Sequence, residues 1–161
     1  MKQGNSSRGA KPAVVVRRAR ESDLPAIDGL YHQLKPGEYE RYAPRLAKFR
    51  QGFRKISRSR DHHLMVAEAN GQVVGTIHVL IFRHLGHGTR PSAIVENVVV
   101  ADTIRSQGIG EKMLEAAKAI ALREGCYKVA LTSRMYRAAA HRFYERAGWK
   151  HSHAGYSIYF E

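Results

Sequence analysis

The chain has 161 residues, 43% of them hydrophobic, and carries 27 Lys plus Arg against 14 Asp plus Glu, a formal net charge of +13. That length and apolar content suit one domain with a single core, and no apolar run approaches the roughly 18 residues needed to span a bilayer. One cysteine, Cys126, rules out an internal disulfide and agrees with a reducing compartment.

Residues 1–12 are polar and lack the apolar centre of a secretory signal, so they read as a disordered tail ahead of one domain over 13–161, expected in the cytoplasm. Val14 to Arg18 predicts a first strand. Glu21-Ser22-Asp23, with Pro25 in the first turn, predicts a helix start. Leu24, Ile27, Leu30, Tyr31 and Leu34 form its apolar stripe, and Lys35-Pro36-Gly37 stops it. A second helix is expected from about Tyr42 to Ile56, with Leu46, Phe49, Phe53 and Ile56 on one face. Asn70-Gly71 between Leu64–Ala69 and Gln72–Phe82 predicts a hairpin. Arg83 to Pro91 reads as a loop and Ala93 to Val100 as a strand. Gly110 to Glu124 is a helix with Met113, Leu114, Ala117, Ile120 and Ala121 at helical spacing, ended by Gly125. Tyr127 to Thr132 is a strand, Ala138 to Ala147 a short helix closed by Gly148, and Gly155 to Phe160 a last strand. Antiparallel strands followed by a β-α-β crossover predict an α/β fold, a mixed and mostly antiparallel sheet with helices on both faces.

The basic charge attracts anions: nucleic acid, polyanionic cofactors or acidic substrates. Its main concentration, Arg41 to Arg60, reads first as a solvated helix face, since no DNA- or RNA-reading motif accompanies it. The pairs His62-His63, His84/His87 and His151/His153 have no Cys or carboxylate partner at metal-ligand spacing, so no metal is expected. Cys126 reads as a packing residue, because nothing pairs it with an activating histidine.

The segment Ile94 to Gly110, IVENVVVADTIRSQGIG, carries the most chemistry. An apolar strand delivers the chain into a Gly-rich turn at a helix N-terminus. That order leaves several backbone N–H groups pointing the same way, and glycines allow close approach, so the turn reads as a phosphate cradle.

This order of elements, with Arg105-x-x-Gly108-x-Gly110 after an apolar strand, resembles the GNAT superfamily of acyl-CoA-dependent N-acyltransferases. Ala140-His-Arg-Phe143-Tyr144-Glu-Arg-Ala-Gly148-Trp149 resembles that family's second motif, and the likeness spans about Val14 to Phe160. The resemblance implies acetyl-CoA as donor. It implies that Arg105, Ser106, Gln107, Gly108, Ile109 and Gly110 hold the CoA pyrophosphate through backbone N–H groups. Val98, Val99 and Val100 match the strand that pairs with the pantetheine arm, where the family carries a bulge and splays from the next strand. By resemblance, Glu96 is the candidate base. A carboxylate within an apolar strand would have its pKa raised by desolvation; equally, Glu96 would bind the substrate amine or pair with an arginine. Asn97 alternates to the opposite sheet face. Tyr144 is the candidate acid for the leaving thiolate, or an aromatic that packs beside Phe143. The backbone N–H of Val98 is the implied oxyanion donor. Arg137 stands where the family often has Asn; it can reach a CoA phosphate instead of making that amide contact.

The sequence thus predicts an N-acetyltransferase that moves an acetyl group to a primary amine by direct attack in a ternary complex. The acceptor is a small molecule or peptide, with no membrane partner. Edge strands near the C-terminus can pair between subunits, giving a homodimer. The competing readings are a CoA-binding regulatory module without robust catalysis, and a nucleic-acid binder using the basic surface.

Overall fold

The computed structural model describes residues 13–34, 36, 37, 39 and 46–160. Five strands form one sheet in the order of the chain: β1 (Val14–Arg18), β2 (His62–Ala69), β3 (Gln72–Phe82), β4 (Ser92–Val100) and β5 (Lys128–Leu131). The first four are antiparallel neighbours and β5 runs parallel to β4. β4 and β5 are joined by a helix that carries the chain back along the sheet, as a parallel pair requires, whereas the helical connection between β1 and β2 brings β2 back antiparallel. Four helices accompany the sheet among the described residues: α1 (Leu24–Leu34), α2 (Leu46–Ser57), α3 (Ile109–Arg123) and α4 (Ala138–Arg146). This is the mixed α/β sheet that the sequence predicts.

The Asn70-Gly71 turn adopts φ of 50° and 75° at its two residues, the left-handed conformation that matches the twist of a two-residue hairpin. It sets the register of β2 on β3 from Ala69↔Gln72 outward. Alternation then sorts side chains between two layers. Ala67, Ile77, Val79, Ala93 and Val95 face α3, whose Ile109, Met113, Leu114, Ala117, Ile120 and Ala121 are buried against them. Val66 and Leu64 face the other way, onto Leu24 and Ile27 of α1 and Phe49 and Phe53 of α2. Cys126 is buried in the α3 layer, and burial pushes its thiol up, as a packing residue would have it. Before α1, buried Asp23 accepts from the Arg20 N–H at 2.7 Å and takes Arg17 in a two-pronged ion pair at 2.7 and 3.0 Å.

Two expectations change. Gly155 to Phe160 forms no strand: Tyr156, Ile158, Tyr159 and Phe160 are all exposed. The segment has a strand's composition, but no described strand pairs with it. The second helix begins at Leu46; Tyr42 to Arg45, like the expected tail over 1–12, lie outside the described residues. No described helix is long and apolar enough to cross a membrane.

Candidate active site

β4 and β5 pair only from Ser92↔Lys128 to Val95↔Leu131. Past Val95 the strands part, and no described strand lies beside residues 96–100 on the side away from β3. The register of β3 on β4 shows why the sheet changes here. Thr76 opposes Val99 and His78 opposes Glu96, so Ile77 faces two residues, Asn97 and Val98. That extra residue is a β-bulge, and Asn97 takes φ of 53° to make it. The family's bulge and splay are therefore both present.

The bulge also shifts the alternation. Ala93 and Val95 face α3 before it; Val98 and Val100 pack against the same layer after it. Asn97 does not turn to the face opposite Glu96, as simple alternation predicts. Its side chain hydrogen-bonds Tyr31 of α1, on the face where His78 and Glu96 stand. Burial pushes the Tyr31 phenol up to about 12, and the Asn97 amide pulls against that shift.

Below the opening, the chain passes through Asp102–Ile104 into the glycine turn. Gln33 of α1 accepts from the Asp102 N–H at 3.0 Å, tying the turn to the first helix. The Arg105 side chain is bonded back onto Asp102 and the Val100 carbonyl, so its charge stabilises the loop's own shape. Ser106 and Gly108 both have positive φ, 65° and 79°. Gly108 is the residue before α3, and no side chain caps that helix end. A Cβ on Gly108 would meet nothing within 4 Å, so the space in front of the first N–H groups of α3 is open. Gly110 has a different reason. A Cβ there would come within 2.7 Å of Phe143 Cζ, so it lets the aromatic of α4 lie against α3. Ile109 is buried in the core and offers the site only its backbone.

Glu96 is exposed, not embedded in the apolar strand. β5 has parted from β4 by this point and leaves it uncovered, so the desolvation expected from sequence is missing. Tyr144 of α4 is half-buried. Its phenol is raised by burial, lowered by the charge of Arg137 and raised by the charge of Glu96. The three groups predicted from two distant motifs thus lie close enough to act on one another. The sequence reading missed His78. It stands across from Glu96 and shares a 3.0 Å hydrogen bond with His62, its ring lowered to about 4 chiefly by burial. Alternation along β3, read from the hairpin outward, gives the face of His78, but its place opposite Glu96 depends on the register of β3 on β4.

An acyl-CoA fits these residues on two observations. The cradle before α3 is open where a Cβ would stand. The Ser133 hydroxyl, two residues past β5, is buried with no partner among the described residues.

The model of the GNAT acetyltransferase family matches residues 24–149. The chain belongs to this family. Among curated relatives, it is similar to the aminoalkylphosphonate N-acetyltransferase of Salmonella typhimurium, 33% identical over 142 residues and 88% of each chain. Among solved structures, it is similar to glucosamine-6-phosphate N-acetyltransferase from Arabidopsis thaliana, with a TM-score of 0.80, 26% identity, and coverage of 92% of this chain and 99% of that one. An aminoglycoside N-acetyltransferase solved in complex with CoA has a TM-score of 0.75 at 18% identity, covering 96% of this chain and 97% of that one, and shares the fold. As a GNAT acetyltransferase, this protein is an enzyme, and the matched residues 24–149 include the opened strand pair and the cradle.

Proposed function

We propose that this GNAT enzyme transfers the acetyl group of acetyl-CoA to the primary amine of a small acceptor that also carries a phosphonate or phosphate. The observation that carries the transfer reading is the opened edge of β4, from the Asn97 bulge to the cradle at Gly108. An extended amide-bearing arm can pair with such an edge, and its pyrophosphate can reach the helix N-terminus. Two features support the acceptor class. The curated relative acts on an aminoalkylphosphonate by its name, and the Arabidopsis relative on an amino sugar phosphate. The net charge of +13 favours anionic acceptors over polycations.

Acetyl-CoA supplies an activated acyl carbon and a thiolate leaving group. Glu96 takes the proton that the amine must lose, directly or through one water, since its carboxylate is open to solvent. The Val98 N–H would donate to the acyl oxygen as negative charge grows on it. Tyr144, kept protonated at neutral pH by its raised phenol, gives its proton to the departing sulfur. Arg137, beside Tyr144, contributes positive charge near the sulfur or a CoA phosphate.

An amine panel with acetyl-CoA, followed by thiol release, tests this. Aminomethyl- and aminoethylphosphonate and glucosamine 6-phosphate should exceed their phosphate-free counterparts by at least about tenfold in kcat/KM, as expected for one charge-assisted contact. Preference for aminoglycosides or polyamines would overturn the acceptor class. Binding of acetyl-CoA with no amine-dependent thiol release would favour a CoA-binding module.

A further inference from the structure

At the end of the sheet opposite the cradle lies a cleft of about 500 Å³ lined by Arg18, Arg60, His63, Arg83, Arg123 and Glu124. It collects side chains distant in sequence: Arg18 ends β1, His63 is the second residue of β2, Arg83 follows β3 and Arg123 ends α3. α3 has 15 residues, so the cleft and the cradle stand about 22 Å apart along it.

Several of the cationic groups are held in place. Arg83 is fixed by Asp61 at 2.8 Å and Glu124 at 3.4 Å. Arg18 donates to the His62 carbonyl at 2.9 Å and lies 3.4 Å from His63 Nδ1. Arg60 has no ion-pair partner among the described residues. Against four guanidinium groups stand the carboxylates of Glu124 and Asp61, so positive charge is in excess. The carbonyl end of α3 does not offset it: the N–H groups of Glu124, Gly125 and Cys126 take up the carbonyls of Ile120, Leu122 and Ala121.

His63 decides what the cleft is built for. It is 6% exposed, and its Nε2 is buried with no partner among the described residues. A guanidinium can only donate, so Nδ1 beside Arg18 accepts, and the neutral ring carries its proton on Nε2. Burial, reinforced by the Arg18 charge, keeps the ring neutral. A buried N–H donor left unpaired is costly, and an oxyanion among the arginines would satisfy it.

We propose that this cleft is a second anion site, taking an oligophosphate between Arg18, Arg60, Arg83, Arg123 and the Nε2–H of His63. Arginine forks match phosphate oxygens in pairs, and a cleft of this size admits a chain of two or more phosphates, free or as part of a nucleotide.

The test uses the full chain saturated with CoA, so that the cradle is occupied. Pyrophosphate is titrated by calorimetry, with the His63 Nε2–H resonance followed by NMR. One equivalent should bind and shift that resonance, and the double variant Arg18→Gln/Arg123→Gln should weaken binding by at least about tenfold while CoA affinity is unchanged. ADP binding more tightly than pyrophosphate would assign the site to a nucleotide, and the reverse order to a free oligophosphate. No binding to the CoA-saturated protein, or equal binding by the variant, would overturn the proposal. So would tight, strongly salt-dependent binding of duplex DNA without a His63 shift, which would reassign the cleft to general surface charge.

Discussion

In the proposed transfer Glu96 and Tyr144 serve opposite ends of the reaction, so their variants should fail differently. Glu96→Gln should lower kcat/KM by about 10²-fold at neutral pH. The deficit should shrink as pH approaches the amine's own pKa, where the acceptor arrives already deprotonated; a constant deficit across pH would remove Glu96 from the base role. Tyr144→Phe should lower kcat by roughly 10- to 100-fold with KM for the amine little changed, and full turnover would leave the residue as packing only. His78 makes a separate prediction. Its folded ring titrates near 4, below the ordinary value of 6.5, so the unfolded chain binds its proton first as pH falls. Stability is therefore fully present above about 6.5 and is lost between 6.5 and 4. The loss is up to about 3 kcal/mol, less what solvent screening removes from a ring only partly enclosed. His63, lowered for the same reason, adds to it in the same direction. Urea unfolding at stepped pH should show a shallower loss for His78→Leu than for the wild type; parallel curves would remove this account. The sequence could not show His78 beside Glu96. The Asn70-Gly71 turn fixes β2 on β3, but the loop over 83–91 leaves the register of β3 on β4 open.

At the scale of elements, α3 and α4 meet at one tight point. Gly110→Ala would push a methyl into Phe143 and displace the helix that carries Tyr144. A stability loss of about 1–3 kcal/mol is expected, with a fall in kcat larger than in the affinity for CoA, because the cradle's backbone remains. Normal kcat at lowered stability would show that α4 need not be held this closely. Both helices were legible from apolar spacing and from their closing glycines. The bulge in β4 was not, because nothing in Val95-Glu96-Asn97-Val98 distinguishes an extra residue from a regular one. The contact of Gly110 with Phe143 was likewise hidden: both belong to motifs with roles of their own, and only packing joins them.

For the molecule as a whole, the segment after α4 leaves Tyr156, Ile158, Tyr159 and Phe160 exposed together. Apolar area of that kind on a strand-forming segment predicts association between copies of the chain. Sedimentation velocity across a hundredfold concentration range should show a dimer that Ile158→Lys shifts toward monomer; one monomeric species throughout would rule this out. The sequence identified the segment as strand-forming. It could not say that no described strand would receive it, because that depends on where β5 ends and how far it diverges from β4.

Asn97 and Val98 share a single opposite number in β3, Ile77. Every residue around them already has the correct partner and the correct face: His78 with Glu96, Thr76 with Val99, Gly75 with Val100. Deleting Asn97 would leave an uninterrupted ladder with Ile77 opposite Val98, and would remove a non-glycine residue from φ of 53°. The shortened chain should therefore melt higher and turn over less. The uniform version of this sheet lies one codon away, and under the proposed transfer along this edge the irregularity trades stability for a place to work.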